Sequence, residues 1–280
     1  MKLFKKAAVL AIASALLLAA CSKNESAQSA ASGTSGKTYI VAIDGTYAPF
    51  EFIQDDKIIG FSRDVLDAVA EKEGMKFEYR NTPWEAIFAT LTKGDSDIVS
   101  ASVTITDERK QSFDFTDPYF EATQLIITPA DKAGEIKSMA DLKDRRVSVM
   151  NGTTGSAAVE KIQGTQSSLI KRFENMPLAL KELVSGGADA SVGDNGVVKY
   201  FIANHPDSKF NTVLDPSFEK EYYGFVLRKG REDDLMKKMN AGIAAIKADG
   251  TYQKIYDKWF GDAAAQPAAG SAASAAGKKS

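Results

Sequence analysis

Few residues of this chain have the chemistry to hold a small molecule, and they sit in short polar stretches between apolar runs. The stretch TITDERK, residues 104–110, places Arg109 three positions after Thr106. Thr106 can cap a helix whose first turn carries Asp107 and Glu108, which would leave Arg109 as a solvated charge. The other use of a guanidinium is a pair of parallel, charge-assisted hydrogen bonds to a carboxylate, which a lysine cannot make. NGTTGSAAV, from residue 151, presents Thr154 and free backbone N–H groups at a helix start. It lacks the lysine of a phosphate loop and does not follow the dinucleotide glycine pattern, so a simple N-cap is the alternative there. Asp194, in VGDNG, precedes an Asn-Gly pair, where an aspartate is ordinarily a turn residue. Asp44 reads the same way, and Tyr47 and Trp84 read either as core aromatics or as pocket walls.

Means for catalysis are sparse. The one histidine, His205, lies in the loop-like NHPDS, and the one cysteine, Cys21, excludes an internal disulfide. There is no His-rich metal spacing and no nucleophile elbow, so neither a metal nor a cofactor is expected. A formal net charge of −2 gives no basic surface for nucleic acid.

The elements that must position these residues alternate between short apolar runs and helical patterns, which predicts an α/β protein with mostly parallel sheets. Residues 39–43 (YIVAI) read as a first strand. A helix follows from Ser62 to about Glu73, with Val65, Leu66, Val69 and Ala70 on one face and Gly74 at its end. KFEYR, PWEAIFATL and DIVSAS complete a β-α-β-α-β series, as in a doubly wound lobe. A second series runs from RVSVM through a helix at about Thr153, a strand near Ile170 and a helix over 177–184 to DASVG. LTKGDSD and LVSGGAD share an L-x-x-G-x-x-D spacing, and five residues past each aspartate stands a polar residue, Ser102 in one half and Asp194 in the other. Related lobes would turn both toward one cleft, the place where α/β sheets bind ligands. Extended segments near 122–128 and 222–227 read as crossings between the lobes, which would make a hinged clamp.

Both ends read differently. Residues 1–20 begin with three lysines, run apolar from Ala7 to Leu18 and stop at small residues, as an export signal does. The run is shorter than a membrane span needs. Residues 18–21, LAAC, resemble a bacterial lipobox, in which Cys21 is lipidated and holds the mature chain at a membrane surface. Residues 21–37 form a Ser/Ala/Gly-rich tether, and residues 262–280 read as a disordered tail.

DGTYAPFEF, GFSRDVLDAVAEK, TITDERKQSFDFTDPYF, NGTTG and DGTYQKIYDKWFG occur in that order, and together they resemble the amino-acid class of bacterial periplasmic solute-binding proteins that feed ABC importers. The resemblance covers about residues 38–261. It implies two doubly wound lobes joined by two crossing strands (a type II periplasmic binding fold), with lobe 1 over 38–124 and 221–261 and lobe 2 over 125–220. It also implies an exported, membrane-anchored lipoprotein at the periplasm or cell surface, monomeric, that delivers a polar L-amino acid to an ABC permease. Arg109 then resembles the clamp on the ligand's α-carboxylate, helped by Ser102 and Thr104, with Thr154 in a second-lobe cradle and Asp194 as the ammonium acceptor. Asp44, Tyr47 and Trp84 match positions around the ligand's side chain. The zwitterion answers Arg109 and Asp194 and leaves Asp44 without a cation, which favours arginine or lysine lying between Tyr47 and Trp84. Glutamine and cystine are alternatives, with Gly193 expected to leave room for a long side chain. Ser62 and Arg63, where the family usually has an acidic residue, are expected to concern helix capping. Two further readings stand beside the importer: a cyclohexadienyl-dehydratase-like enzyme and a surface interaction or sensor lipoprotein.

Overall fold

The structure is a computed structural model that describes residues 37–261. The export signal, Cys21, most of the tether and the tail lie outside the described residues.

The apolar runs form two five-stranded sheets. In the first, the order is Lys76–Asn81, Thr38–Ile43, Ile98–Ser100, Val226–Arg228 and Phe113–Phe115. The first three strands are parallel because helices Phe61–Glu73 and Trp84–Lys93 carry the chain back between them. The Phe61–Glu73 helix buries Phe61, Val65, Leu66 and Val69 against this sheet's core and stops at Gly74 in the left-handed conformation. The second sheet has the order Ile170–Phe173, Val147–Met150, Ala190–Asp194, Gln124–Pro129 and Phe210–Val213, again with a parallel trio at one side.

Each sheet is therefore mixed, where mostly parallel sheets are expected from the sequence. The antiparallel members have a common cause. Gln124–Pro129 and Val226–Arg228 enter their sheets straight from the interlobe crossing, with no helix to reverse them. The crossing itself is shorter than the sequence implies: Phe120–Ala122 pairs antiparallel with Glu221–Tyr223, and the residues beyond already belong to the two sheets. A three-stranded ribbon, Thr46–Tyr47, Glu51–Gln54 and Lys57–Ile59, has no counterpart in the sequence reading.

The L-x-x-G-x-x-D repeat proves to be one device used twice. Gly94 and Gly186 both adopt positive φ at a helix end. Asp97 N–H donates to Ile40 O at 2.8 Å while Ile40 N–H donates to the Asp97 carboxylate at 3.0 Å. Asp189 and Arg146 repeat that exchange at 2.8 and 3.0 Å. Each pair fixes where the next strand begins, and so where its far end delivers Ser102 or Asp194.

Gly60 shows how tightly the ribbon is folded onto the first helix. Its φ is +137°, and a Cβ there would lie 2.1 Å from Phe50 O. Gly60→Ala is expected to cost about 3 kcal/mol or more through backbone strain and overlap. In a thermal melt this is a fall in Tm of roughly 6–12 °C; a Tm within 2 °C of the parent would show that the ribbon can shift at no cost.

Candidate functional site

The strand ends of both sheets and the crossing strand converge on one small, buried, polar cleft. It is lined by Asp44, Tyr47, Trp84, Ala101, Ser102, Thr104 and Arg109 from the first lobe and by Met150, Thr153, Thr154 and Asp194 from the second. All eight ligand-site residues expected from the sequence are thus brought together.

Arg109 combines the two readings open to it. Thr106 does cap the short helix Asp107–Ser112, accepting the Arg109 N–H at 3.2 Å. The Arg109 side chain nevertheless turns inward. Its Nη1 donates to Thr104 O at 2.9 Å and its Nη2 to Gly152 O of the other lobe at 3.2 Å, with the guanidinium 5.4 Å from the Trp84 ring centre. Burial lowers its pKa, and Asp194 and Glu221 oppose that by favouring the cation. Trp84 also crosses the cleft: its Nε1 donates to Asn151 O at 3.0 Å. The outer face of Trp84, Arg109 and Gly152 borders an open groove of about 430 Å³.

Asp194 ends its strand and begins the helix Asn195–Ala203. Its carboxylate accepts from the Tyr47 hydroxyl at 2.6 Å, from the Tyr223 hydroxyl and from Gln124 Nε2. The Tyr47 bond joins the lobes. Thr153, not Thr154, is the N-cap of the Thr154–Gln163 helix, accepting from Ser156 N–H at 3.2 Å. That leaves the Thr154 hydroxyl free to reach the centre of the cleft.

What it reaches there is Glu221, a residue the sequence reading missed. One Glu221 oxygen, Oε2, accepts from Thr104 Oγ1 at 3.1 Å, from Thr154 Oγ1 at 3.0 Å and from Gln124 Nε2 at 3.1 Å. Gln124 is 2 % exposed and its amide nitrogen lies between the two carboxylates. Burial raises the pKa values of both Asp194 and Glu221, and for Glu221 the charge of Asp194 adds to it. The signal for Glu221 and Gln124 lay in their position: both flank the crossing, which the sequence could place only to within a few residues. Asp44 accepts from the Thr46 hydroxyl at 2.7 Å, and burial raises its pKa too.

Three particulars correct the sequence reading. Gly193 opens no space for a ligand, since a Cβ there would meet Met176 Cε at 2.4 Å. Ser62 is no cap: it is fully buried and hydrogen-bonds the Tyr119 hydroxyl at 3.1 Å, while Gly60 stands at the helix start. Arg63 stacks on Tyr79 and pairs with Asp67. Arg109 already stands over the Trp84 ring, 5.4 Å from its centre, so Tyr47 and Trp84 do not form an open sandwich in this arrangement. His205 is exposed and stacks on Phe201, away from the cleft. Among the described residues no group of His, Cys, Asp and Glu is placed to hold a metal, and no helix is long and apolar enough to cross a membrane.

The enclosed space is about 20 Å³, enough for roughly one water. The lobes are therefore shut on their own side chains, with Tyr47, Arg109 and Trp84 each donating a hydrogen bond across the cleft.

Residues 39–262 match the model of the bacterial extracellular solute-binding proteins, family 3. The chain is 40 % identical over 257 residues to a probable histidine-binding protein of Neisseria gonorrhoeae, covering 91 % of this chain and 95 % of that protein. It is 32 % identical over 221 residues to the ABC transporter arginine-binding protein 1 of Escherichia coli, covering 78 % and 88 %. Among solved structures, the arginine-, lysine-, histidine-binding protein ArtJ of Geobacillus stearothermophilus superposes with a TM-score of 0.77 at 41 % identity, over 81 % of this chain and 96 % of that one. This chain belongs to family 3 of the bacterial extracellular solute-binding proteins.

Proposed function

We propose that the protein captures a basic L-amino acid between its lobes and delivers it to an ABC permease, acting as a binding protein and not as an enzyme, and that Cys21 tethers it to a membrane through lipid. The observation that carries the ligand is a charge count. Asp44 and Asp194 line a cleft nearly closed to water together with one guanidinium, Arg109, and a third acid, Glu221, reaches it through the Thr104 and Thr154 hydroxyls. A zwitterion adds no net charge to that set, whereas arginine, lysine or protonated histidine brings it nearer to balance. In this reading Arg109, Ser102 and Thr104 hold the α-carboxylate, Thr154 and the helix start behind it close over it, and Asp194 with Glu221 takes the ammonium. Asp44 takes the side-chain cation beside Tyr47 and Trp84. The names of the relatives, histidine-binding and arginine-binding among them, support the basic class.

Capture begins with the lobes apart, and closure replaces the present cross-cleft bonds by bonds to the ligand. Because Arg109 and Asp194 stand on different lobes, each gains its full partner only when both lobes meet one ligand, so binding and closure are a single equilibrium.

Isothermal titration of residues 38–261, refolded after unfolding, with arginine, lysine, histidine, glutamine and cystine tests the reading. Saturable binding of the basic amino acids, tighter than that of glutamine, is expected. Asp44→Asn should weaken arginine binding by about 10- to 100-fold, the worth of a hydrogen bond to a charged group, and should change glutamine binding far less. Equal losses for arginine and glutamine would remove Asp44 from the side-chain subsite.

A further inference from the structure

Behind the cleft lies a carboxyl group that none of the above employs. Glu51, on the ribbon strand Glu51–Gln54, is 0 % exposed, and neither of its oxygens makes a well-formed hydrogen bond. Its neighbours are hydroxyls, Ser62 and Ser102, and titratable groups on every side: Asp44 at the end of the first strand, Tyr47 opposite it in the ribbon, Tyr119 before the crossing, and Asp194 on the other lobe. An anion at this spot would be buried beside two other acids with no cation among these neighbours, so the group holds its proton. Burial pushes its pKa up to about 8, a direction the geometry alone requires.

A neutral carboxyl has one proton to donate. Ser62 and Tyr119 already bond each other at 3.1 Å. Ser102 Oγ is the neighbouring hydroxyl left without a partner. Ser102 also lines the cleft, and its φ of +47° is a strained value for a serine, one that the surroundings must hold in place.

We propose that Glu51 is a positioning residue of the ligand site: its protonated carboxyl donates to Ser102 Oγ and thereby turns the Ser102 O–H toward the cleft, as a donor to the carboxylate of the bound amino acid. The inference rests on the reading of the cleft as an amino-acid site. It makes a proton on a fully buried carboxyl, which itself touches no ligand, a component of the binding apparatus. Loss of that proton removes the donor to Ser102 and sets a second anion behind the ligand's carboxylate.

The test compares wild type with Glu51→Gln, whose amide donates to Ser102 at every pH. Arginine is titrated into both between pH 6.5 and 9.5, and the ratio of their affinities cancels the titration of the free amino acid. At pH 7 the two are expected to bind within threefold of each other. One pH unit above the Glu51 midpoint, wild type is expected to have weakened about tenfold relative to the variant, as linkage to one obligatory proton requires. A ratio that stays flat to pH 9.5 overturns the inference alone; wild type that binds none of the amino acids overturns it together with the cleft reading. Should the variant not fold, carbon NMR of wild type labelled at the glutamate carboxyls decides. A Glu51 midpoint near 8 that rises when arginine is added supports the proposal, and a midpoint near 4.5 overturns it.

Discussion

Arg109→Ala is expected to weaken arginine binding by about 30-fold to several thousand-fold, corresponding to roughly 2 to 5 kcal/mol. The range follows from what the change leaves behind. A carboxylate enclosed by the two lobes loses its only guanidinium, and the remaining donors, Ser102, Thr104 and the helix start at Thr154, are neutral. Lysine at the same position is expected to recover little of the loss, because a single ammonium cannot make two parallel bonds to a carboxylate. The variant should still fold: the Asp107–Ser112 helix keeps its Thr106 cap, whose acceptor serves the backbone N–H and not the side chain. Affinity from titration, with a melt of the empty protein as the control, checks this. A loss below threefold at unchanged Tm would remove Arg109 from the site.

Local chemistry made much of this legible in the sequence. Thr106 and its acidic first turn marked a helix start, and Gly74 marked a helix end, since each rule depends on residues only a few positions apart. The eight cleft residues were found because the order of five short motifs resembled a family. Their own types had left Asp44, Asp194 and Tyr47 with ordinary roles as turn or core residues. What the sequence did not yield depends on distant pairing. Glu221 stands in EYY, an unremarkable polar start to a strand, and becomes a site residue only because Tyr223 bridges to Thr104 and the crossing strand lies against the cleft. Gly193 misled for a related reason: the space beside it is filled by Met176, which opens a helix from an earlier part of the chain, a contact that no local pattern records. The mixed sheets escaped because strand direction follows from how the chain re-enters after the crossing, which no local pattern records.

Asp194→Asn carries the second large effect, and its size depends on pH. Three donors already hold the Asp194 carboxylate in the shut arrangement, Tyr47, Tyr223 and Gln124, and the ligand's ammonium would add a full positive charge. Neutralising the residue leaves that ammonium with Glu221 alone, so arginine affinity should fall by about 30-fold or more at pH 7.5. The pKa values of Asp194 and Glu221 are raised in the empty protein, by burial first and, for Glu221, by the charge of Asp194 next. An ammonium between them favours their ionised forms, so ligand and proton compete for the same oxygens. Wild-type affinity should therefore decline as the pH falls from neutral through that raised range, by up to about tenfold per unit for each proton displaced, with protons released on binding. In Asp194→Asn the decline should be shallower, since Glu221 alone remains to titrate. Titrations between pH 5 and 8 in buffers of different ionisation heat measure both the affinity and the protons released. Parallel pH profiles for wild type and variant would mean that Asp194 meets no ammonium. With Glu51 setting the alkaline limb, the profile for a basic amino acid is a bell whose two sides come from different carboxyls: those that must lose a proton to receive the ligand, and the one that must keep it.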